Sequence, residues 1–161
     1  MKSLDQLTEI YFDSVGRNSK LLLNVPPARD GLLHRTDVSR IAALHERLTA
    51  LFAEDVAAGH HVAWRVTGPR TAVAELDLGR TVGVGTARLG EDIEHGQAIA
   101  RYTLSGSAGG SWQELCHGQT IGFQKLDRFE ARMVRSVRLV IEDAVAPPRP
   151  VRIGLYEGGG P

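Results

Sequence analysis

An unbroken apolar run, Leu21-Leu22-Leu23, entered from a helix and closed by Pro26-Pro27, most constrains what this chain can fold into. Upstream of it, Leu4, Leu7, Ile10 and Tyr11 recur at spacings of three and four, the period of one helical face. Gly16 is placed to end that helix, and Asn18 belongs to the turn that follows. A short segment apolar at every position is the pattern of a strand covered on both sides, as in parallel sheets. The two prolines withdraw two backbone donors and stop any ladder, and Asp30-Gly31 supplies a turn. A second helix is expected from about Thr36, taken as its N-cap, with Asp37 at the positive helix end. Ile41, Leu44, Leu48, Leu51 and Phe52 form its apolar stripe. Helix, buried strand and helix, in that order, predict a parallel α/β unit.

The period changes after Gly59-His60. Short β-prone segments follow at roughly 62–66, 71–78, 82–91, 99–105, 112–115, 119–121, 125–129, 137–141 and 151–156. Turn residues separate them, including Gly79-Arg80, Gly96, the run from Gly106 to Gly110, Gly118 and Pro147-Pro148. Val137–Ile141 and Ala72–Leu78 alternate in part with period two, which favours strands with one wet face. The expected fold is therefore mainly β: an antiparallel sandwich of about a hundred residues, preceded by a helix–strand–helix piece. Residues 1–56 are assigned to that piece, 57–157 to the sandwich and 158–161 to a flexible end.

With 161 residues the chain is too short for a complete eight-fold α/β barrel, which takes about 250. Nineteen basic residues balance nineteen acidic ones, so no broad attraction to nucleic acid or to an anionic membrane is expected. Arg128, Arg132, Arg135 and Arg138 read as solvent-facing arginines of strands and loops. Cys116 is the only cysteine, which excludes an internal disulfide framework, and no Cys/His spacing suggests a metal; no cofactor is expected. Asp5, Glu9 and Asp13 interrupt the N-terminal segment, which lacks the apolar core of a signal peptide. No stretch approaches the roughly 20 apolar residues of a membrane span. As given, the chain reads as cytoplasmic; a full-length parent that is exported is also compatible.

The segment Asn18-Ser19-Lys20-Leu21-Leu22-Leu23-Asn24-Val25-Pro26-Pro27, continuing to Asp30-Gly31, resembles the last helix–strand unit of the catalytic barrel in α-L-fucosidases of glycoside hydrolase family 29. Glu75-Leu76-Asp77-Leu78-Gly79, Glu91-Asp92-Ile93 with Gly96-Gln97, Thr120-Ile121-Gly122-Phe123 and Gly154-Leu155-Tyr156 resemble the C-terminal galactose-binding-like, jelly-roll sandwich of the same enzymes. The order of these pieces, over nearly the whole chain, makes the resemblance specific. It implies the end of a (β/α)8 barrel followed by the sandwich, and hydrolysis of terminal α-L-fucosyl linkages by the complete enzyme. Retaining glycosidases use two carboxylates about 5–5.5 Å apart. In the family both catalytic groups lie upstream of anything matching Leu21–Asn24, so the resemblance places no catalytic residue here. The chain departs from the pattern at Phe123-Gln124-Lys125, at Ala98-Ile99 after Gly96-Gln97, and in a short loop before Trp64. The implied role is an accessory or structural domain of a split or truncated enzyme; the alternative is a stand-alone carbohydrate-binding module.

Sugar recognition needs an aromatic platform and planar polar groups. Trp112, Trp64, Phe123 and Tyr102 are the platform candidates, and Glu91, His95, Gln97, His117 and Arg128 the hydrogen-bonding candidates. With aromatics at 6%, the reading of both tryptophans as core residues is preferred. Asn24 reads either as support for a fucose pocket or, preferably, as the amide that holds the Pro26-Pro27 turn. His60-His61 reads as a pair of exposed linker histidines. Expected partners are a fucosylated or galactose-containing glycan, a chain carrying the missing barrel, or a second copy meeting residues 4–52. A lone βα unit cannot satisfy its own strand edge, which is why a partner is expected there.

Overall fold

The structure is a computed structural model that describes residues 2–158, so the expected flexible end lies outside the described residues apart from Gly158. Two helices come first, α1 (Leu4–Ser14) and α2 (Arg35–Leu51). Six strands follow: β1 (Val62–Gly68), β2 (Thr71–Gly90), β3 (Ile99–Ser107), β4 (Gln113–Gly118), β5 (Lys125–Ala144) and β6 (Arg152–Tyr156). α1 begins with a capping box: the Gln6 N–H donates to Ser3 Oγ at 3.1 Å, and the Ser3 N–H donates to Gln6 Oε1 at 3.0 Å. The cap of α2 is His34 rather than Thr36, because the imidazole Nδ1 accepts the Thr36 N–H at 3.2 Å. Asp37 still falls in the first turn, where the helix end favours negative charge.

Every strand pairing is antiparallel, in the order β1-β2-β5-β3-β4 with β6 on the far part of β2. The two 20-residue strands carry the architecture. Residues 72–77 of β2 pair with 136–141 of β5 and, on the other side, with β1; residues 82–89 pair with 125–134 of β5 and with β6. The ladder breaks between Asp77 and Val82. Gly79-Arg80, expected as a turn between two strands, is instead a bend inside one strand. Gly79 has φ 68°, which a side chain would resist, and its N–H is held by Asp77 Oδ1 at 2.8 Å. Through this bend one long ribbon forms two layers, and both close on one cluster that includes Ala74, Leu76, Val84, Leu89, Tyr102, Leu139, Ile141 and Leu155. The result is mainly antiparallel β, consistent with the expected sandwich. The expected strand at 112–115 is β4, which runs on to Gly118, whereas the one expected at 119–121 lies in the loop that follows.

The helices pack on the outer face of the three-stranded half. Leu7 and Phe12 of α1 are buried, which stabilises by roughly 1.5–3 kcal/mol per side chain. The Phe52 ring meets Tyr156 of β6 edge-on at 5.0 Å, and Arg128 of β5 lies 4.2 Å over the Phe12 ring. One expectation fails here. Leu21-Leu22-Leu23 forms no strand, and Leu22 is 93% exposed. The reason is physical: a buried parallel strand needs a neighbour on each edge and cover on each face. No described element stands beside this segment to provide either.

A short latch joins the helical piece to the sandwich. Gly16 accepts the Leu126 N–H at 3.0 Å, and Arg17 bridges antiparallel to Lys125. Asn18, in the left-handed region at φ 66°, accepts the Gln124 N–H on Oδ1 at 2.8 Å and donates from Nδ2 to the Ile121 carbonyl at 2.9 Å. Its amide leaves no room at Gly122 (φ 63°), where a Cβ would meet Asn18 Oδ1 at 2.6 Å. Behind this loop sits Glu91, 6% exposed, whose carboxylate accepts three backbone N–H groups: Ala98 at 2.7 Å, Ile99 at 3.1 Å and Gly122 at 2.7 Å. Beneath it, Asp127 accepts from the Tyr102 hydroxyl and from Arg17 Nη1 at 2.8 Å. Burial and the Asp127 charge push the Tyr102 phenol up, so it stays a neutral donor. Burial likewise pushes the neighbouring Cys116 thiol up, which removes it as a nucleophile. Glu91→Ala would orphan three buried donors at once. We expect a loss of about 3 kcal/mol in urea unfolding; a change within experimental error would mean that water replaces the carboxylate.

Candidate functional site

The sheet face turned away from the helices carries an open arrangement of polar and aromatic groups. Alternation along β2 sends Ala74 and Leu76 inward, so Glu75 and Asp77 share the outer face. Across the ladder Arg138 lies opposite Glu75, and Ser136 opposite Asp77. Arg138 Nε reaches Glu75 Oε1 at 2.7 Å, and Arg135 Nε approaches Asp77 Oδ1 at 3.6 Å. Trp112 enters β4 from the glycine-rich loop, and the Arg138 guanidinium stacks 4.1 Å from its ring centre. That contact fixes the ring while leaving the residue 36% exposed. A cavity of about 420 Å³ opens between Trp112, Glu75, Asp77 and Ser136 on one side and His61 and Ala63 on the other.

Glu75 and Asp77 deserve comparison with a glycosidase pair, since two strand positions put their Cα atoms about 6.7 Å apart. Their surroundings are wrong for that chemistry. The side chains are 44% and 63% exposed, and each faces a guanidinium. A carboxylic acid that donates a proton near neutral pH needs the reverse, a desolvated pocket without a nearby cation.

The other candidates from the sequence do not converge on this cavity. Glu91 is the backbone staple described above, and with His95 it lines a smaller cleft of about 200 Å³ with Asp92, Ala98, Pro147 and Arg149. Gln97 is exposed in the same loop. Arg128 is committed to α1, donating to both Glu9 oxygens, with the closer contact at 2.5 Å, and stacking on Phe12. That pairing holds the Glu9 carboxyl below its usual range. Asn24 is exposed in the irregular segment after α1. Of the platform candidates, Tyr102 is wholly buried, Trp64 packs on the core cluster, and Phe123 is exposed beneath Arg152. Among the described residues, no group of three or more His, Cys, Asp and Glu is placed to hold a metal ion.

His61, Glu75, Asp77 and Arg138 were missed as site residues. The period-two pattern of 72–78 marks the outer positions, but only the register of β5 against β2 sets Arg138 beside Glu75 and beneath Trp112. Near the opposite edge, exposed His117 pairs with Glu114 at 2.7 Å, and Glu142 accepts from the Thr103 hydroxyl at 2.5 Å and from Arg101 Nε at 2.8 Å.

No family model matches the chain. Alpha-L-fucosidase 1 of Arabidopsis thaliana is 28% identical over a 180-residue alignment, covering 94% of this chain and 36% of the plant protein. The crystal structure of SpGH29 superposes with a TM-score of 0.90 at 32% identity, over 99% of this chain and 40% of its own. A Ruminococcus gnavus GH29 fucosidase in complex with fucose gives 0.85 at 25% identity, over 97% and 37%. The chain matches the C-terminal part of family 29 α-L-fucosidases. It spans little more than a third of the length of its curated fucosidase relative. Within this fucosidase-related piece, Glu91 serves backbone N–H groups, Glu75 an arginine, and Asp77 an arginine and the bend at Gly79.

The Glu114 carboxylate holds the His117 imidazolium to a higher pH than an ordinary histidine. The pair is complete below the ordinary histidine range and is lost as pH rises through the elevated value. Glu114→Gln should return the His117 titration, followed by NMR, toward about 6.5; an unchanged titration would show that the pair does not persist in solution.

Proposed function

We propose that this chain is an accessory, non-catalytic portion of an α-L-fucosidase, and that the carboxylates that cleave the fucosyl bond belong to a polypeptide region carrying the barrel. One observation carries the reading: nearly all of the chain aligns with about two-fifths of a family 29 structure at a TM-score of 0.90. The chemistry of the acids supports it, because Glu75 and Asp77, the pair nearest to a glycosidase spacing, sit solvated beside arginines. Surface composition supports it too. Leu22, Leu32, Leu33 and Val38 are 93%, 69%, 47% and 49% exposed along the stretch between and into the helices. Exposed apolar side chains clustered in this stretch fit cover by another polypeptide, either the barrel or a second copy of the chain. Purified chain incubated with an aryl α-L-fucoside should release no more aglycone than a blank. Turnover that scales with protein and survives repurification would overturn the reading.

A second reading, a carbohydrate-binding module, is favoured by one feature, the exposed Trp112 ring held over Glu75 by Arg138. An indole offers an apolar face to a pyranose, and the flanking carboxylates, Ser136 and His61 offer hydroxyl partners. Trp112→Ala should weaken retention on an immobilised fucosylated or galactosylated glycan by roughly tenfold with the fold intact. Equal retention by both proteins, or none by either, removes this reading.

A further inference from the structure

A second cleft, of about 270 Å³, lies between the end of the helical piece and the edge of the three-stranded half. Its chemistry is unlike the rest of the surface. Arg88 stands on the outer face of β2, with its guanidinium 4.4 Å from the centre of the Phe52 ring and 5.2 Å from that of Tyr156. Among the described residues its guanidinium has ring contacts but no hydrogen bond or ion pair, and Nε is the one buried side-chain nitrogen or oxygen there with no hydrogen-bond partner. Arg152 brings a second guanidinium alongside. It lies over Gly90, two positions from Arg88 on the same face, where a Cβ would come within 2.9 Å of Arg152 Nη2. A Cβ at Gly90 would also meet the Phe123 carbonyl oxygen at 2.9 Å, so glycine keeps this wall of the cleft open.

No acid in the cleft answers this charge. Asp55 is the one lining carboxylate, and its Oδ1 already accepts the Ala57 N–H at 3.0 Å and the Leu155 N–H at 2.9 Å. The rest of that carboxylate faces the Tyr156 hydroxyl. Among the described residues Arg152 makes one hydrogen bond, to the Phe123 carbonyl at 3.2 Å, and no ion pair. Two guanidiniums therefore stand together with most of their donors unspent, and a buried charged donor without an acceptor is costly. A planar fork of N–H groups is the geometry that binds carboxylate, sulfate or phosphate oxygens in pairs. A water occupies roughly 30 Å³ in the liquid, so a cleft of this size admits such a group.

We infer that the cleft between Arg88 and Arg152 is a receptor for an oxyanion, a carboxylate, sulfate or phosphate group, that accepts from both guanidiniums. The inference goes beyond the fucosidase-accessory reading and uses the chain alone, so either can fail without the other. Two sources share this chemistry: a free anionic ligand, and an acidic side chain of a polypeptide that covers the helical piece. The test is a titration of the 15N-labelled chain with sodium sulfate, sodium phosphate and N-acetylglutamate methylamide, against sodium chloride at matched ionic strength, followed at the Arg88 Nε–H signal. A saturable shift of that signal, absent with chloride, is expected. Arg152→Gln alters an exposed side chain and should keep the fold while weakening the apparent affinity about tenfold. Tighter binding of the glutamate analogue supports the receptor with a polypeptide source, and tighter binding of the inorganic ions supports it with a free ligand. No shift with any of the three, a shift matched by chloride, or unchanged affinity in Arg152→Gln overturns it.

Discussion

Three residues, Gly16, Arg17 and Asn18, decide how this molecule holds together. They pair with the start of β5, and the Asn18 side chain closes two hydrogen bonds on the loop that leads into it. That loop is pinned from below by Glu91 through the Gly122 N–H. The register of the long strands, the seat of the helices and the Asp127–Tyr102 pair that Arg17 covers all meet here. Buried backbone donors must find acceptors, and this junction satisfies them with two side chains distant in sequence.

The bend in β2 and β5 has the second-largest consequence. It lets two strands supply both layers of a sandwich, so each layer inherits the other's register. The five-stranded half is left with an outer face open to solvent, and on that face Glu75, Arg138 and Trp112 form a polar and aromatic surface. The three-stranded half has its outer face covered by helices, and at the margin of that cover lie Arg88 and Arg152. Two different surfaces thus arise from one folded ribbon.

Much of this was legible from residue pattern. The helical faces of 4–15 and 36–52, the switch to period two after residue 60 and most strand positions follow from local preferences that tertiary contacts reinforce. The Asn18-to-Gly31 motif also pointed to the fucosidases with which the chain aligns. The Leu21–Leu23 run was misread for an instructive reason. Its apolar pattern suits a strand between neighbours, and pattern alone says nothing about whether the neighbours stand beside it. Glu91 has the planar polar group that sugar recognition needs, whereas in the structure it is buried and its carboxylate accepts three backbone N–H groups.

By itself the sequence determined the kinds of element, their order and the family likeness, because periodicity, glycine and proline act over a few residues. It also determined the charge balance and the absence of any disulfide, which follow from counting. Only the tertiary structure decided which charges meet: Arg128 with Glu9, Arg138 with Glu75, and Arg88 and Arg152 with no carboxylate among the described residues. Those pairings depend on strand register and on the angle at which helices cross a sheet. Both are set by packing between residues far apart in sequence, 63 positions for Glu75 and Arg138 and 119 for Glu9 and Arg128, beyond the reach of any local pattern.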